Sequence, residues 1–308
     1  MTHSMRVCLF GNLVLTAAGD DAPVPLEAAK AQELFAYLLL HRGRHHRELL
    51  AGVLWADQPA ARARQYLRKT LWQLQSTLNA GPHCPEDGVL RVDGEDVAIN
   101  EDAVLWVDVA SFESACNGAR GVPGRQLETA AAAALRSAVA LYRGELLESW
   151  YHDWCLVERE RFQLMYLSAL DKLVGYCEAH GEYEAGLDYG LSILRCDRAR
   201  EYTHRALMRL HFLAGDRTGA LRQFERCCAA LREELDVAPS AKTVALYERV
   251  RDGAGPADAE PSPALPVLPG AAGGQGLLPK LRQLRSLLQS IERQLAHEIE
   301  TLDQAHRR

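Results

Sequence analysis

The chain has 308 residues, 48% of them hydrophobic and 25% charged. That is enough apolar material for a core, and at about 100–200 residues per domain the length predicts two or three domains. The formal net charge of −6 excludes a protein that coats nucleic acid or anionic membrane with its whole surface, because such binding needs an excess of cations, but it leaves room for a local basic patch.

In chain order, residues 6–26 read as short strands broken at Gly11-Asn12 and at Gly19-Asp20-Asp21-Ala22-Pro23. The interruption at Gly11-Asn12 speaks against a secretory signal, and no segment nears the roughly 18 uninterrupted apolar residues of a membrane helix. A cytoplasmic chain with no membrane partner is therefore expected. Eight cysteines without a C-x-x-C read as buried, reduced thiols.

Three helices are predicted next: about Lys30 to Leu40, about Arg47 to Trp55, and a third that opens after Asp57-Gln58-Pro59 and runs to about Leu78. In the third, Asp57 is placed to cap and Pro59 to occupy the first turn, and Leu67, Leu71, Leu74 and Leu78 form an apolar stripe. Gly81-Pro82 ends it, and Val89 to Val92 with Val97 to Ile99 read as a hairpin turning at Asp93-Gly94-Glu95-Asp96. Strands, three helices and a terminal hairpin make up the order of a winged helix, assigned to residues 1–105.

Residues 106–252 are almost continuously helical in pattern, with breaks at Gly118 to Gly124, Gly144, Gly181, Gly215 and Pro239. Gly181-Glu182-Tyr183 with Gly186-Leu187 recurs 34 residues later as Gly215-Asp216-Arg217 with Ala220-Leu221, and the same offset carries Leu173 onto Leu207. This is the tetratricopeptide period, in which paired helices stack on a shared face. A Pro/Gly-rich linker is expected over 253–279. Over 280–306, Leu281, Leu284, Leu288, Ile291, Leu295 and Leu302 follow the seam of a coiled coil, or equally the apolar face of an amphipathic helix packed on its own chain. The fold class is thus mainly α: an α+β winged helix-turn-helix, an all-α tetratricopeptide-like domain, a linker and a terminal helix.

The chemistry concentrates at 41–78, where Arg42, Arg44, Arg47, Arg62, Arg64, Arg68 and Lys69 face only Glu48 and Asp57, a local charge of +5. On the third helix Arg64, Gln65, Arg68 and Lys69 project away from the leucine stripe. Arg and Gln can pair bidentately with guanine and adenine edges in a major groove, while Lys and Arg neutralise phosphates. Arg62 and Lys30 are further phosphate candidates. Arg91, near the hairpin tip, is a wing candidate hemmed in by Asp87, Asp93, Glu95 and Asp96. His41, His45 and His46 lack a further ligand at suitable spacing and read as a solvated loop, so no metal is assigned. Glu158 to Glu160 with Arg159 and Arg161 reads as an ion-paired helix surface. No phosphate-binding loop, nucleophile elbow or zinc-protease motif occurs, so neither a cofactor nor an enzymatic activity is expected.

Several phrases together resemble the Streptomyces antibiotic regulatory type of transcriptional regulator, which joins an OmpR-like winged helix to a bacterial transcriptional activator domain. They are Lys30 to Leu40 with Arg47-Glu48-Leu49-Leu50 and Leu54-Trp55-Ala56-Asp57; Ala63 to Leu74; Val107 to Glu113; Gly144-Glu145-Leu146-Leu147 with Trp154 and Glu158 to Arg161; and Glu234 to Ser240 with Leu246-Tyr247-Glu248. The resemblance covers about residues 5–250. It implies a sequence-specific DNA-binding regulator, most simply an activator, bound as a homodimer to direct repeats of promoter DNA and facing RNA polymerase. The chain departs from the family at Gln73 and Gln75, where Arg is frequent; at His46, where Ser or Thr caps a helix; and at Asp236, where Gly is usual. The competing reading is a tetratricopeptide-like interaction scaffold whose winged helix no longer binds DNA.

Overall fold

The computed structural model describes residues 5–17, 23–80 and 88–255. Strands β1 (Met5–Cys8) and β2 (Val14–Ala17) pair antiparallel. The segment between them turns at Gly11, whose φ of 83° favours glycine. Helix α1 (Ala29–Leu40) follows, and from Leu34 to Leu40 every side chain is buried. A two-residue strand β3 (His45–His46) leads into α2 (Arg47–Leu54) and α3 (Ala60–Leu78). Strands β4 (Leu90–Asp93) and β5 (Asp96–Ile99) form the expected hairpin, and β3 pairs with the outer side of β5.

Periodicity assigns 107 to the helical region, but β6 (Leu105–Val107) is a strand, paired parallel to β1. A three-residue strand is too short to show its own period beside a helix start. Helices α4 (Asp108–Gly118), α5 (Thr129–Leu141), α6 (Asp153–His180), α7 (Tyr183–Cys196), α8 (Glu201–Leu213), α9 (Arg217–Leu235) and α10 (Ala241–Arg251) complete the described chain. The 34-residue offset maps onto two helix pairs: Gly181 ends α6 before α7, and Gly215 separates α8 from α9, both at positive φ. A break at 197–200, between α7 and α8, carries neither Gly nor Pro, which is why turn signals miss it. Residues 256–279 of the expected linker, the whole 280–306 helix, Gly81-Pro82 and Cys84 lie outside the described residues.

The core runs unbroken from the N-terminal strands into α6. At this seam the buried Asp108 carboxylate accepts from the amides of Leu9 (2.8 Å), Phe10 (3.0 Å) and Val109 (2.7 Å). The Gly144 to Leu147 segment lies along the same strand end. Leu147 N–H donates to Leu9 O (3.0 Å), Glu148 N–H to Gly11 O (2.9 Å), and Gly11 N–H to Glu145 O (2.8 Å). Phe10 inserts between Phe112, Tyr142 and Phe162, with ring centroids 4.8–5.6 Å away. Leu147 is fully buried and held at φ 48°, a conformation a bulky residue adopts only when its surroundings over-determine it.

The Glu158 to Arg161 stretch is ion-paired as expected, but Glu158 and Arg161 do not lie at the surface. Glu158 and Arg161 are each 5% exposed and pair at 2.7 Å, with Arg161 also 2.7 Å from Glu113. Arg159 donates to the carbonyls of Leu146, Leu147 and Trp150. Glu160 faces solvent, while Glu158, Arg159 and Arg161 are covered and act as internal ties. Among the cysteines, Cys155, Cys177 and Cys227 are buried as expected, while Cys196 is exposed.

Candidate nucleic-acid interface

Helices α2 and α3 pack at the centre of the N-terminal region through Leu50, Ala51 and Leu54 on one and Ala63, Leu67, Leu71, Leu74 and Leu78 on the other. Trp55 to Pro59 make the turn, with Gln58 N–H donating to Trp55 O at 3.1 Å. The expected cap by Asp57 does not form. Pro59 itself stands at the helix start, and its carbonyl accepts from the amides of Arg62 and Ala63. A proline suits this place because its fixed φ is already helical and it has no amide to leave unpaired. His46, standing where the family has Ser or Thr, does cap α2: its Nδ1 accepts from Glu48 N–H at 3.4 Å.

The buried leucines turn the opposite face of α3 to solvent. Arg62, Gln65, Arg68 and Lys69 are all exposed there, and the three cations make no ion pair with another described residue. Arg64 is exposed too, but its guanidinium lies 3.3 Å from Glu48 on α2, both side chains being more than half exposed. Such a pair is worth at most about 1 kcal/mol and is readily exchanged for a stronger anion. The face carries two aromatic side chains that a count of cations and amides passes over: Tyr66 at 41% and Trp72 at 68% exposure. Their signal was the spacing, since both fall off the leucine stripe.

Other predicted residues are placed differently. Lys30 is half-exposed but its ammonium is engaged by the protein, donating to Glu33 Oε2 (2.6 Å) and Leu54 O (2.7 Å) and lying 5.6 Å from the centre of the Trp55 ring. It braces α1 against the end of α2 and does not share the α3 face. Arg91 sits in the body of β4 opposite Ala98, with the tip at Gly94 and Glu95. It lines one shallow depression with Arg44, Asp93 and Asp96, so the wing presents mixed charge. Of the three histidines His46 is exposed, but His41 and His45 are not part of a solvated loop. His41 packs on Tyr37, with ring centroids 4.3 Å apart, and edge-on to Trp154 of α6, while His45 Nε2 is 2.5 Å from His41 O. Burial, reinforced by His45 and Arg161, pushes His41 down to about 4 from its ordinary value near 6.5. Among the described residues there is no group of three or more side chains placed to hold a metal ion, and no helix long and apolar enough to cross a membrane.

Comparison with known proteins finds the bacterial transcriptional activator domain over residues 107–251, which bears out the family resemblance read from the sequence. The fold is similar to that of Mycobacterium tuberculosis EmbR, solved in complex with a low affinity phosphopeptide. The TM-score is 0.58 at 21% identity, over 83% of this chain and 67% of that one. Identity at that level speaks to the fold alone. No curated protein sequence matches the chain.

Proposed function

We propose that this chain, whose residues 107–251 are a bacterial transcriptional activator domain, is a sequence-specific DNA-binding transcription regulator that reads the major groove with α3. The observation that carries the reading is the exposed α3 face. There Arg62, Arg68 and Lys69, without ionic partners among the described residues, flank Gln65 on a helix held by a helix-turn-helix and followed by a hairpin. A helix of 19 residues is about 28 Å long and fits a groove about 12 Å wide. In the complex Arg68 and Lys69 contact DNA directly, Gln65 pairs with an adenine edge, Arg62 neutralises phosphate, and Arg64 exchanges Glu48 for phosphate or base. Lys30 supports the motif by tying α1 to the end of α2, and Arg91 contributes little beside Asp93 and Asp96.

Residues 1–105 serve this binding and 106–252 serve dimerisation or regulation, with no enzymatic step, in the cytoplasm. A homodimer on direct repeats, acting as an activator toward RNA polymerase, follows from the family resemblance. The 280–306 segment would add a coiled-coil contact. The second reading, an interaction scaffold without DNA binding, is favoured by the mixed charge of the wing.

The deciding experiment measures binding of the full chain to mixed duplex DNA as salt is raised. The regulator loses affinity steeply, by about one power of salt for each phosphate neutralised. Arg68→Ala with Lys69→Ala abolishes binding at moderate salt while the circular-dichroism melt stays that of the parent. No binding at low salt would leave the scaffold reading.

A further inference from the structure

The side chains at the outermost line of α3 are Gln65, Lys69, Trp72 and Ser76. They follow each other at i, i+4, i+7 and i+11, directly across the helix from the buried Leu67, Leu71, Leu74 and Leu78. Trp72 is 68% exposed, although its neighbours Leu71 and Leu74 are 4% and 0% exposed. The core beneath α3 is complete without it. A single exposed apolar residue is ordinary on a protein surface, but this one stands in the middle of a crest flanked by Arg68 and Lys69. Those charges suit a polyanion and no apolar partner.

We infer that Trp72 is a specificity-determining residue that reads thymine, its indole lying against the C5-methyl groups exposed on the major-groove edge of A·T pairs. This deepens the reading that α3 enters the major groove and rests on it. The thymine methyl is the apolar group that base edges offer in that groove, and apolar side chains recognise it there. The indole is a large, rigid plane that loses its water on contact, and its N–H is left to donate to a base acceptor or a phosphate. Seven residues of helix separate Trp72 from Gln65, a rise of about 10 Å. If α3 follows the groove, the thymines under Trp72 are therefore about three base pairs from the adenine paired with Gln65, at about 3.4 Å per step.

The test starts from a duplex selected by the full-length chain out of a random pool. Each thymine is then replaced by deoxyuridine, which removes the methyl and leaves every hydrogen-bonding group in place. The parent is expected to lose about three- to tenfold in affinity at one or two thymines. Trp72→Ala should bind the parent duplex about tenfold more weakly, show no response to deoxyuridine at those positions, and keep the parent's salt dependence and thermal melt. Trp72→Phe should retain part of the thymine preference. If Trp72→Ala responds to deoxyuridine as the parent does while Arg68→Ala with Lys69→Ala abolishes binding, α3 reads DNA and Trp72 does not read thymine. If the parent selects no duplex at all, this inference falls together with the reading it rests on.

Discussion

The exposed face of α3 and the seam between the N-terminal strands and α6 are both rich in charge and aromatic residues, and they use them in opposite ways. At the seam, Asp108 takes up three amides, Arg159 serves three carbonyls, and Arg161 is clasped by Glu158 and Glu113. Phe10 and Trp154 are packed inside. On α3, Arg62, Arg68 and Lys69 have no ionic partner among the described residues, and Trp72 meets solvent. Charge that has been desolvated and paired holds a structure in one arrangement. Charge left solvated keeps its interaction free energy for a ligand. The comparison also assigns the two sets of family phrases separate tasks: Val107 to Glu113 and Gly144 to Leu147 build the seam, and Ala63 to Leu74 builds the face.

Substitutions at the two places should therefore diverge. The largest effect is expected for Arg161→Ala, which leaves Glu158 buried without its cation. Burial already pushes that carboxyl above its ordinary range, and the loss should be about 3–5 kcal/mol of stability in urea unfolding. A cost below about 1 kcal/mol would mean that the seam tolerates an unpaired charge as a surface does.

Acid should act on the same side of the molecule. Folded His41 stays neutral down to about pH 4, whereas in the unfolded chain it protonates near its ordinary 6.5. Between those values the unfolded state holds the extra proton. Stability falls as pH is lowered through the window and levels off below it, by about 2–3 kcal/mol from this group. Subtracting the pH profile of His41→Phe from that of the parent isolates the contribution, and identical profiles would refute it.

A smaller gain is expected at the end of α9, where Asp236 occupies the left-handed region with φ 54°. Glycine, the usual family residue, adopts that conformation without a Cβ penalty, so Asp236→Gly should stabilise by about 0.5–1 kcal/mol. The melting temperature checks it. The smallest change in stability, within about 0.5 kcal/mol, belongs to Arg68→Ala with Lys69→Ala, the pair expected to matter most for DNA. A large loss of stability there would show that the face is not free.

Much of the fold was legible because each helix records its own buried side. The leucine stripe of α3, the hairpin turn at Gly94 and the 34-residue offset behind the two helix pairs are local patterns with local causes. The basic face was legible in the same way, as whatever the stripe excludes. Lys30 was not, because beside Glu33 of its own helix it meets Leu54 O, which only the packing of α2 brings to it, and cationic character alone does not tell a tie from a contact. Trp72 falls outside a search for cations and amides, and only its position around the axis, off the leucine stripe, marks it as exposed.

The sequence by itself determined the longer helices of the N-terminal region, its hairpin and the sign of the charge on α3, since these depend on residue type and period within one segment; β6 and the 197–200 break left no such signal. Only the tertiary structure decided which charges are internal. Arg159, Glu158 and Arg161 look like a solvated helix surface until the Gly144 to Trp150 segment and α4 cover them. Burial is a property of what packs against a face, and that partner comes from a distant part of the chain.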